Sequence, residues 1–353
     1  MREPAGALHG PLTAPGPAAD STIGDMARVF SGIQPTGTKH LGNLLGAIRH
    51  WVTDQDRHDC LFCIVDLHSL TVPYDVEELR TATFDLATLL LAAGIDPDRS
   101  MLFIQSHVRE HSELAWILSG VATTGELSRM TQFKAKSDGR ESVSVGLFTY
   151  PVLMAADVLL YQGERVPVGD DQRQHVELMR DVAIRFNNRY GDTFVVPEAS
   201  IPPAGARIMD LQAPTAKMST TGGTELGTVY ILDPPDRLKK KIMSAVTDSG
   251  SEVRASPDKP GVAALLDILA AVTDTPVPHL EARYDGAGYG TFKRDVLDAL
   301  VEYLAPIQSR YAELRADPDA VRAALAQGAD KARTLAVPTM ERVREVVGLL
   351  STG

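Results

Sequence analysis

The first half of the chain alternates short apolar runs with longer stretches whose apolar residues recur at helical spacing. Apolar runs at 29–31, 60–67 and 101–105 are typical of buried strands, and helical spacing follows the first two at 41–52 and 76–94. This β-α-β-α-β order predicts a parallel sheet with right-handed crossovers. A fourth apolar run at 166–168, followed by an amphipathic helix, continues the same pattern.

Two further regions are mainly helical in pattern. Residues from about 107 to 165 predict a helical insertion, interrupted by the polar stretch MTQFKAKSDGRESVS, where we predict a mobile loop around 134–144. A short strand, GARIMDL, is predicted before a Gly- and Thr-rich loop at 214–224. The expected fold is α/β, with a Rossmann-like parallel-sheet domain at 28–228, an all-helical domain at 229–353 and a disordered tail at 1–27.

The composition is that of a globular protein, with 44% hydrophobic and 23% charged residues in 353. We expect a cytoplasmic location, because no apolar run approaches the roughly 18 residues of a membrane span and no export signal is evident. A net charge of −11 argues against nonspecific coating of nucleic acid, but local basic groups could still bind RNA. Candidates for such a basic patch are 237–241 and the spaced Lys331, Arg333, Arg342 and Arg344.

The two cysteines, Cys60 and Cys63, lie three residues apart in a predicted strand. Residues at that spacing face opposite sides of a sheet, so the two thiols should not share a metal. We expect buried, unreactive thiols in a reducing compartment.

The turn between the first predicted strand and helix, GIQPTG, carries the first candidate chemistry. Gly32 and Gly37 would allow a ligand close to the backbone, Gln34 lies between them, and His40 and Asn43 flank the first helical turn. The N-terminus of a helix at a strand's carboxyl end is a common site for phosphate. Since both the GxGxxG spacing and the Walker lysine are missing, an ordinary strand-to-helix junction is an equally good interpretation.

Two motifs resemble the signatures of the tryptophanyl-tRNA synthetases, a class I family. The run SGIQPTGTKHLGN resembles the first signature, with Asn43 where the class usually has a second histidine. AKMST resembles the second signature, KMSKS, with Thr220 replacing its second lysine. The resemblance extends from about Val29 nearly to the C-terminus. It implies ATP with Mg²⁺, L-tryptophan and a tryptophan tRNA as ligands, a homodimer, and a C-terminal region that reads the anticodon.

Tyr150, Met154, Asp157 and Val158 fall on one face of a predicted helix. A buried carboxylate needs a partner, and the indole N–H is a donor without acceptor character, so an indole slot is one interpretation. A core helix whose Asp157 pairs with a neighbouring arginine is the other. The YP-x-LMAAD run of the resembled family uses this Asp to bind the indole nitrogen.

The remaining site residues are those that the resemblance implies. The expected catalytic residues are His40, Asn43, Lys134, Lys136, Lys217 and Ser219. The expected ATP contacts are Gln34, Gly42, Asn43, Gly169, Asp171, Ile208, Lys217 and Met218. The expected tryptophan contacts are Phe30, Gly32, His68, Tyr150, Met154, Asp157, Val158 and Gln172.

Two other functions remain open at this point. One is a tyrosine-specific relative or a small-molecule adenylyltransferase on the same scaffold. The other is a tRNA- or partner-binding regulator in which Thr220 marks lost catalysis.

Overall fold

The fold is built on a five-stranded parallel sheet with the strand order β3-β2-β1-β4-β5. The computed structural model describes residues 26–139, 142–169, 172–200, 207–220 and 222–350. The strands are β1 (Arg28–Ile33), β2 (Asp59–Ile64), β3 (Met101–Ile104), β4 (Arg165–Pro167) and β5 (Glu198–Ser200). The four predicted strands are thus confirmed to within a residue or a few at their ends.

The strand β5 was not predicted, and the strand predicted at 205–211 is wrong. β5 has the sequence Glu-Ala-Ser, which carries no apolar signal, and its register on β4 comes from long-range backbone pairing. In place of the predicted strand, Met209 forms an isolated antiparallel bridge with Lys217, while residues 205 and 206 lie outside the described residues.

The helices surround the sheet and make up most of the C-terminal half. Those between the strands are α1 (Leu41–Asn43), α2 (Arg49–Asp54), α3 (Asp66–Ser69), α4 (Val76–Ala93), α5 (Glu110–Ser119), α6 (Thr124–Arg129), α7 (Thr131–Ser137), α8 (Val145–Leu159) and α9 (Arg173–Tyr190). Those that follow are α10 (Pro235–Met243), α11 (Pro260–Thr273), α12 (Val277–Arg283), α13 (Tyr289–Ala316) and α14 (Pro318–Val346). Within the described ranges no single helix is long and apolar enough to cross a membrane, although α11 and α12, bent by 108°, meet the length and composition test as a pair.

The helix after the first signature is not uniformly α-helical. A π-helical turn, Leu44–Ile48, lies between α1 and α2, and Leu44, Leu45 and Ile48 are all buried. The apolar spacing predicted the helix correctly, but it could not distinguish one extra residue in a turn from regular α-helix. Such π-turns are rare and are found mainly at functional sites.

Two apolar clusters cover the two faces of the sheet. Alternate residues of β2 belong to different clusters, with Cys60 and Phe62 in the first and Leu61 and Cys63 in the second. This confirms that the thiols face opposite sides. Burial raises the pKa of Cys60 to about 12 and the pKa of Cys63 well above its ordinary value, so both remain protonated.

The helical C-terminal half packs directly on the sheet. The first cluster joins Phe62 to Leu300 of α13, and the second joins Phe103 to Met340 of α14. α14 lies so close to β3 that a side chain at Gly328 would collide with the carbonyl oxygen of Leu102. The apolar core therefore crosses the predicted domain boundary at 228, which itself stays a prediction.

The predicted N-terminal tail lies mostly outside the described residues, which begin at Met26. Ala27 is buried at 2% exposure, and its carbonyl accepts a hydrogen bond from the N–H of Asp59. Ordered packing therefore begins at least one residue before Arg28, where β1 starts.

Candidate active site

The strand order reverses at β1, which pairs with β2 on one side and β4 on the other. In open parallel sheets a ligand crevice lies at this point, outside the carboxyl ends of the strands. The loop of the first signature leaves β1 there, and the segment beginning at Val168 leaves β4. The sheet therefore places both predicted nucleotide-contact regions at one edge.

The loop after β1 is held by its own lysine. Lys39 Nζ donates to the carbonyl oxygens of Gln34 and Thr36, both at 2.8 Å. Burial lowers the pKa of Lys39 to about 8. Gly37 has a φ of +62°, in the left-handed region that favours glycine, so the turn depends on this residue.

His40 begins the helix and caps it reciprocally with Asn43. Nδ1 of His40 accepts from the N–H of Gly42 at 3.1 Å, and Oδ1 of Asn43 accepts from the N–H of His40 at 3.0 Å. Burial lowers the pKa of His40 to about 4, helped by the charges of Lys217 and Lys39. The ring is therefore neutral near pH 7, and since Nδ1 accepts, its proton is on Nε2, which is left as a donor.

The second signature lies against the first. The N–H of Met218 donates to the carbonyl of Ile208 at 3.0 Å, and Met218 is buried, whereas Lys217 is exposed. A Cβ added to Gly42 would stand 3.8 Å from Cβ of Ile208, and one added to Gly37 would stand 3.3 Å from Oγ1 of Thr220. The structure thus brings together the predicted nucleotide contacts of the two motifs.

A short extended segment joins the two signatures. The N–H of Leu41 donates to the carbonyl of Val229 at 2.8 Å, and the N–H of Ile231 donates to the carbonyl of Lys39 at 3.1 Å. On the other side, Oγ1 of Thr228 donates to the carbonyl of Ser219 at 3.1 Å. One segment, 228–231, therefore contacts both motifs.

This segment is anchored by a buried ion pair that sequence reasoning missed. Nζ of Lys241 donates to Oδ2 of Asp233 at 2.6 Å and to the carbonyl of Thr228 at 2.7 Å, and both charged side chains are 2% exposed. The ammonium group also lies 4.5 Å from the ring centroid of Tyr230. Lys241 therefore stabilises the interior of the protein. Its prediction as part of a basic surface patch is wrong.

The spaced basic candidates on α14 are also engaged in intramolecular contacts. Arg333 and Arg344 pair with Asp330 and Glu113, at 2.5 Å in each case. Lys331 and Arg342 donate to the carbonyls of Pro97 and Asp192, at 2.5 and 3.0 Å. The Arg333–Asp330 pair lies within α14, but Arg333 also donates to the carbonyl of His107 at 2.9 Å. All four side chains therefore hold α14 against the rest of the molecule.

Asp157, the predicted indole contact, lies at the centre of a buried hydrogen-bond network. Its Oδ1 accepts from Nε2 of Gln105 at 2.6 Å and lies 2.7 Å from Nδ1 of His111. Its Oδ2 lies 2.8 Å from Nε2 of His68. No arginine is among these partners in the described part of the chain, so the alternative of an arginine pair is wrong.

The network keeps Asp157 ionised. Burial opposes ionisation, but hydrogen bonds from His111 and His68 outweigh it, so the pKa of Asp157 lies well below its usual value. Each carboxylate oxygen has two lone pairs. The three contacts fill both positions on Oδ1 and one on Oδ2, which leaves Oδ2 able to accept one more hydrogen bond.

Of the four predicted tryptophan contacts on α8, three are buried and one is half-buried. Tyr150 is buried, and its hydroxyl lies 2.7 Å from Nε2 of His175. Val158 is 1% exposed, while Met154 is half-buried against the second cluster. The ring of His68 meets that of Tyr150 edge-on, with centroids 6.2 Å apart. Asp157, His68 and Tyr150 therefore form one contiguous group.

The contacts predicted on β1 lie behind this group. Phe30 is 3% exposed and stacks on Tyr161, with ring centroids 5.8 Å apart. Gly32 is exposed at the end of β1, and a Cβ there would come within 3.0 Å of Val65. Phe30 thus supports the network through Tyr161, whereas Gly32 borders the open crevice.

Lys134 and Lys136 were predicted on a mobile loop, and this prediction is wrong. Both lie on α7, exposed, and Lys136 Nζ stands 5.3 Å from the ring centroid of Tyr150. The polar sequence suggested a loop, but a helix with one exposed face has the same composition. Lys136 is thereby brought to the Asp157 side of the site.

The residues predicted after β4 are described in part. Gly169 is exposed, and its carbonyl accepts from the N–H of Gln172 at 2.9 Å, just before α9 begins. Asp171 lies outside the described residues.

Gln105, His111 and Tyr161 belong to the network but were missed. Gln105 directly follows the apolar strand β3, and this polar residue at a strand's carboxyl end was a usable signal. His111 and Tyr161 lie on α5 and just after α8, where an isolated histidine and an aromatic residue look like ordinary core.

Two cavities flank α4, and neither is lined by His40, Lys217 or Asp157. The larger, about 960 Å³, lies between α4 and α14 and is bordered by Phe84, Arg315 and Arg322. The smaller, about 490 Å³, lies behind the first signature loop at Lys39. The candidate site therefore lies at the carboxyl ends of the strands, where these side chains gather, and not in either cavity.

A family profile described as tRNA synthetases class I (W and Y) matches residues 24–305. The match covers most of the chain, including both signatures and Asp157. The chain therefore belongs to the class I tRNA synthetases of the tryptophan and tyrosine family.

Individual relatives narrow the comparison to the tryptophan branch. The chain is 52% identical to a tryptophan–tRNA ligase of Caldanaerobacter subterraneus subsp. tengcongensis, over 92% of this chain and 99% of that relative. It is 52% identical to tryptophan–tRNA ligase 1 of Streptomyces coelicolor, over 92% and 98%. The structure resembles that of tryptophanyl-tRNA synthetase from Campylobacter jejuni complexed with ADP and tryptophan, with a TM-score of 0.81 and 36% identity over 91% of this chain and 100% of that one. The resemblance found in the sequence is thus confirmed.

Proposed function

We propose that this protein is a tryptophan–tRNA ligase. It activates L-tryptophan with ATP to give tryptophanyl-adenylate and pyrophosphate, and then transfers tryptophan to the 3′ end of its tRNA. The observation that carries the proposal is the ionised, 2%-exposed Asp157, whose Oδ2 retains an acceptor position beside His68. Relatives at 52% identity that are named tryptophan–tRNA ligases support it.

In the activation step a carboxylate oxygen of tryptophan attacks the α-phosphorus of ATP, and the bond to the β-phosphate oxygen breaks to release pyrophosphate. The nucleophile is already ionised, so no general base is needed. The work left to the protein is positioning and stabilisation of charge on the phosphates. We assign this work to the neutral donor His40, the cap residue Asn43, and the cations Lys134, Lys136 and Lys217, with Ser219 beside Lys217.

The nucleotide itself would lie across the two signatures. We assign its contacts to Gln34, Gly42, Ile208 and Met218 from the two loops and to Gly169 and Gln172 after β4. The expected contact of Asp171 rests on the family resemblance alone. ATP use in the family is supported by the Campylobacter jejuni structure, whose ligands are ADP and tryptophan. We propose that Mg²⁺ enters with the ATP phosphates as part of the substrate.

Recognition of tryptophan is assigned to the Asp157 group. The indole N–H donates and does not accept, and an ionised carboxylate accepts and does not donate, so the two match. The apolar part of the indole ring would contact Tyr150, Met154, Val158 and Gly32. Phe30 supports the site indirectly, by stacking on Tyr161. The tyrosine phenol needs an acceptor and a donor together, and Asp157 supplies the acceptor alone.

In the transfer step a terminal ribose hydroxyl of the tRNA attacks the adenylate carbonyl carbon, and AMP leaves. We propose the helical region at 229–353 as the anticodon-reading part, a homodimer as the assembly and the cytoplasm as the location. Arg237, Lys239 and Lys240 remain the exposed members of the basic patch, because Lys241 is internal.

The test is tryptophan-dependent exchange of pyrophosphate into ATP, compared with tyrosine, followed by charging of tRNA. We expect exchange with tryptophan and no measurable exchange with tyrosine. Preference for tyrosine would identify the tyrosine-specific alternative. Binding of tRNA without exchange for either amino acid would identify the regulator.

A further inference from the structure

The Asp157 network continues beyond the substrate-facing side chains into the core. His111, on α5, is 0% exposed, with Nδ1 2.7 Å from Oδ1 of Asp157 and Nε2 2.8 Å from the hydroxyl of Tyr161. Tyr161 is also 0% exposed. His111 of α5 thus joins Asp157, near the end of α8, to Tyr161, just after α8, in one line of hydrogen bonds that ends on the carboxylate.

The direction of each hydrogen bond follows from the chemistry of the groups. The ionised carboxylate of Asp157 can only accept, so Nδ1 of His111 carries the proton. In the neutral ring Nε2 then accepts, and Tyr161 must donate. Burial raises the pKa of Tyr161 well above its ordinary value, which keeps the phenol protonated as this donor. A donor on Nε2 polarises the imidazole and strengthens the bond from Nδ1.

Tyr161 is fixed by aromatic neighbours and not by solvent. Its ring stacks on Phe30 with an interplanar angle of 13°, and it meets Phe103 edge-on with centroids 5.7 Å apart. Because these rings hold the buried tyrosine in place, the line from its hydroxyl through His111 orients Oδ1. Oδ1 is saturated by His111 and Gln105, so the free acceptor position of the carboxylate is on Oδ2 alone.

We propose that His111, supported by Tyr161, is a positioning residue that orients the Asp157 carboxylate, and that it thereby sets the discrimination between tryptophan and ring analogues that lack the indole N–H. The inference rests on the proposed function. Without His111, Oδ1 regains an acceptor position, and only Gln105 and His68 still orient the carboxylate. The substrate N–H then no longer meets an acceptor held in one place.

The experiment compares tryptophan with β-(3-benzothienyl)alanine, in which sulfur replaces the ring N–H. The quantity measured is the ratio of kcat/KM for the two amino acids in pyrophosphate exchange. We expect His111→Leu to lower this ratio at least about tenfold, because a charge-assisted hydrogen bond to Asp157 is lost. His111→Asn, whose amide nitrogen can take the place of Nδ1, should keep the ratio within about threefold of wild type.

Tyr161→Phe tests the hydrogen bond from the Tyr161 hydroxyl to Nε2 of His111. It also provides a test of the proposal if His111→Leu does not fold. It keeps the ring contacts with Phe30 and Phe103 and removes the hydroxyl alone. We expect the ratio to fall by an amount between those of the two His111 variants. An unchanged ratio in Tyr161→Phe and in whichever His111 variants fold would overturn the proposal.

Gln55→Leu is the matched control for general loosening of the core. Gln55 is 5% exposed, and its amide donates to the carbonyls of Val52 and Gly94 at 3.1 and 2.9 Å, away from the Asp157 network. We expect it to lose stability and keep the ratio. If Gln55→Leu lowers the ratio as much as His111→Leu, the effect is not one of positioning and the inference fails.

Failure of the inference and failure of the proposed function give different results. If wild type prefers tryptophan, and Asp157→Asn abolishes that preference while the His111 variants keep it, the function stands and the positioning role falls. If wild type activates tryptophan and β-(3-benzothienyl)alanine equally, Asp157 does not recognise the indole N–H. The assigned role of Asp157 then fails, and the inference about His111 fails with it.

Discussion

Gly37 and Thr220 lie against each other, so that a Cβ added to Gly37 would stand 3.3 Å from the hydroxyl oxygen of Thr220. Gly37 belongs to the loop after β1 and Thr220 to the KMSKS-like loop, so the two motifs are in contact. Thr220 occupies the position of the second lysine of the signature, and its short side chain faces the turn that Gly37 makes possible.

Asp157→Ala should raise the KM for tryptophan far more than the KM for ATP. The change removes a charge-assisted hydrogen bond, so we expect a rise of roughly tenfold to hundredfold for tryptophan and little change for ATP. Pyrophosphate exchange with each substrate varied in turn measures both constants. Equal increases in the two KM values would refute the assigned role.

Thr220→Lys should raise kcat for activation. A lysine at this position adds a positive charge next to the phosphates, and a donor aimed at developing charge contributes on the order of 3 kcal/mol where nothing compensates. Since Lys134, Lys136 and Lys217 already supply charge, we expect an increase of no more than about tenfold. Thr220→Met, with a similar length and no charge, is the control, and an equal gain from it would show that charge is not the cause.

Acid should destabilise the protein through His40. The pKa of His40 is lowered to about 4 in the folded state, so between pH 6.5 and 4 the unfolded chain takes up a proton that the folded chain does not. The free energy of unfolding must therefore fall as the pH falls through this window. His40→Asn keeps a good helix cap and cannot titrate.

We expect the free energy of unfolding of wild type, relative to that of His40→Asn, to fall by about 1 to 2 kcal/mol between pH 8 and pH 5. Urea unfolding at the two pH values measures the difference. A difference that does not change with pH would show that His40 takes up protons equally in both states.

Lys241→Met should strongly destabilise the segment that joins the two signatures. The substitution leaves Asp233 as a buried charge without its ammonium partner, which costs about 3 to 5 kcal/mol. The double variant Lys241→Met with Asp233→Asn removes both charges and should recover part of that loss. Urea unfolding of the two variants provides the test, and an equal loss in both would place the effect in packing and not in charge.

Gly328→Ala should weaken the contact between α14 and the sheet. A methyl group there collides with the carbonyl of Leu102, so we expect a loss of about 1 to 3 kcal/mol in the free energy of unfolding. Gly290→Ala is the matched control, since Gly290 lies in α13 with no atom within 4 Å of the added Cβ. Glycine to alanine in an open helical position gains up to about 1 kcal/mol. Loss of stability in both variants would contradict the steric explanation.

Local patterns in the sequence predicted most of the sheet and the two nucleotide-contact loops. Four of the five strands are apolar runs that must be buried, and their alternation placed Cys60 and Cys63 on opposite faces. The motifs around His40 and Lys217 are contiguous in the chain, so their similarity to a family could be seen without the fold. By contrast β5 is polar, and its pairing with β4 depends on residues more than 30 positions away.

The partners of Asp157 were decided by the tertiary structure. Spacing on α8 showed that an acid had to be buried and satisfied, and it left the partner open between an indole and an arginine. The actual protein donors, Gln105, His111 and His68, come from three segments 46 to 89 residues away, and no local periodicity relates them.

The same holds for Lys241, whose position among other basic residues suggested a basic surface patch, while the fold turns it inward to Asp233. The sequence by itself therefore determined which segments form strands, helices and signature loops, because those depend on neighbours in the chain. Only the tertiary structure decided which buried charges meet, because hydrogen bonds between distant segments exist only once the sheet has brought their ends together.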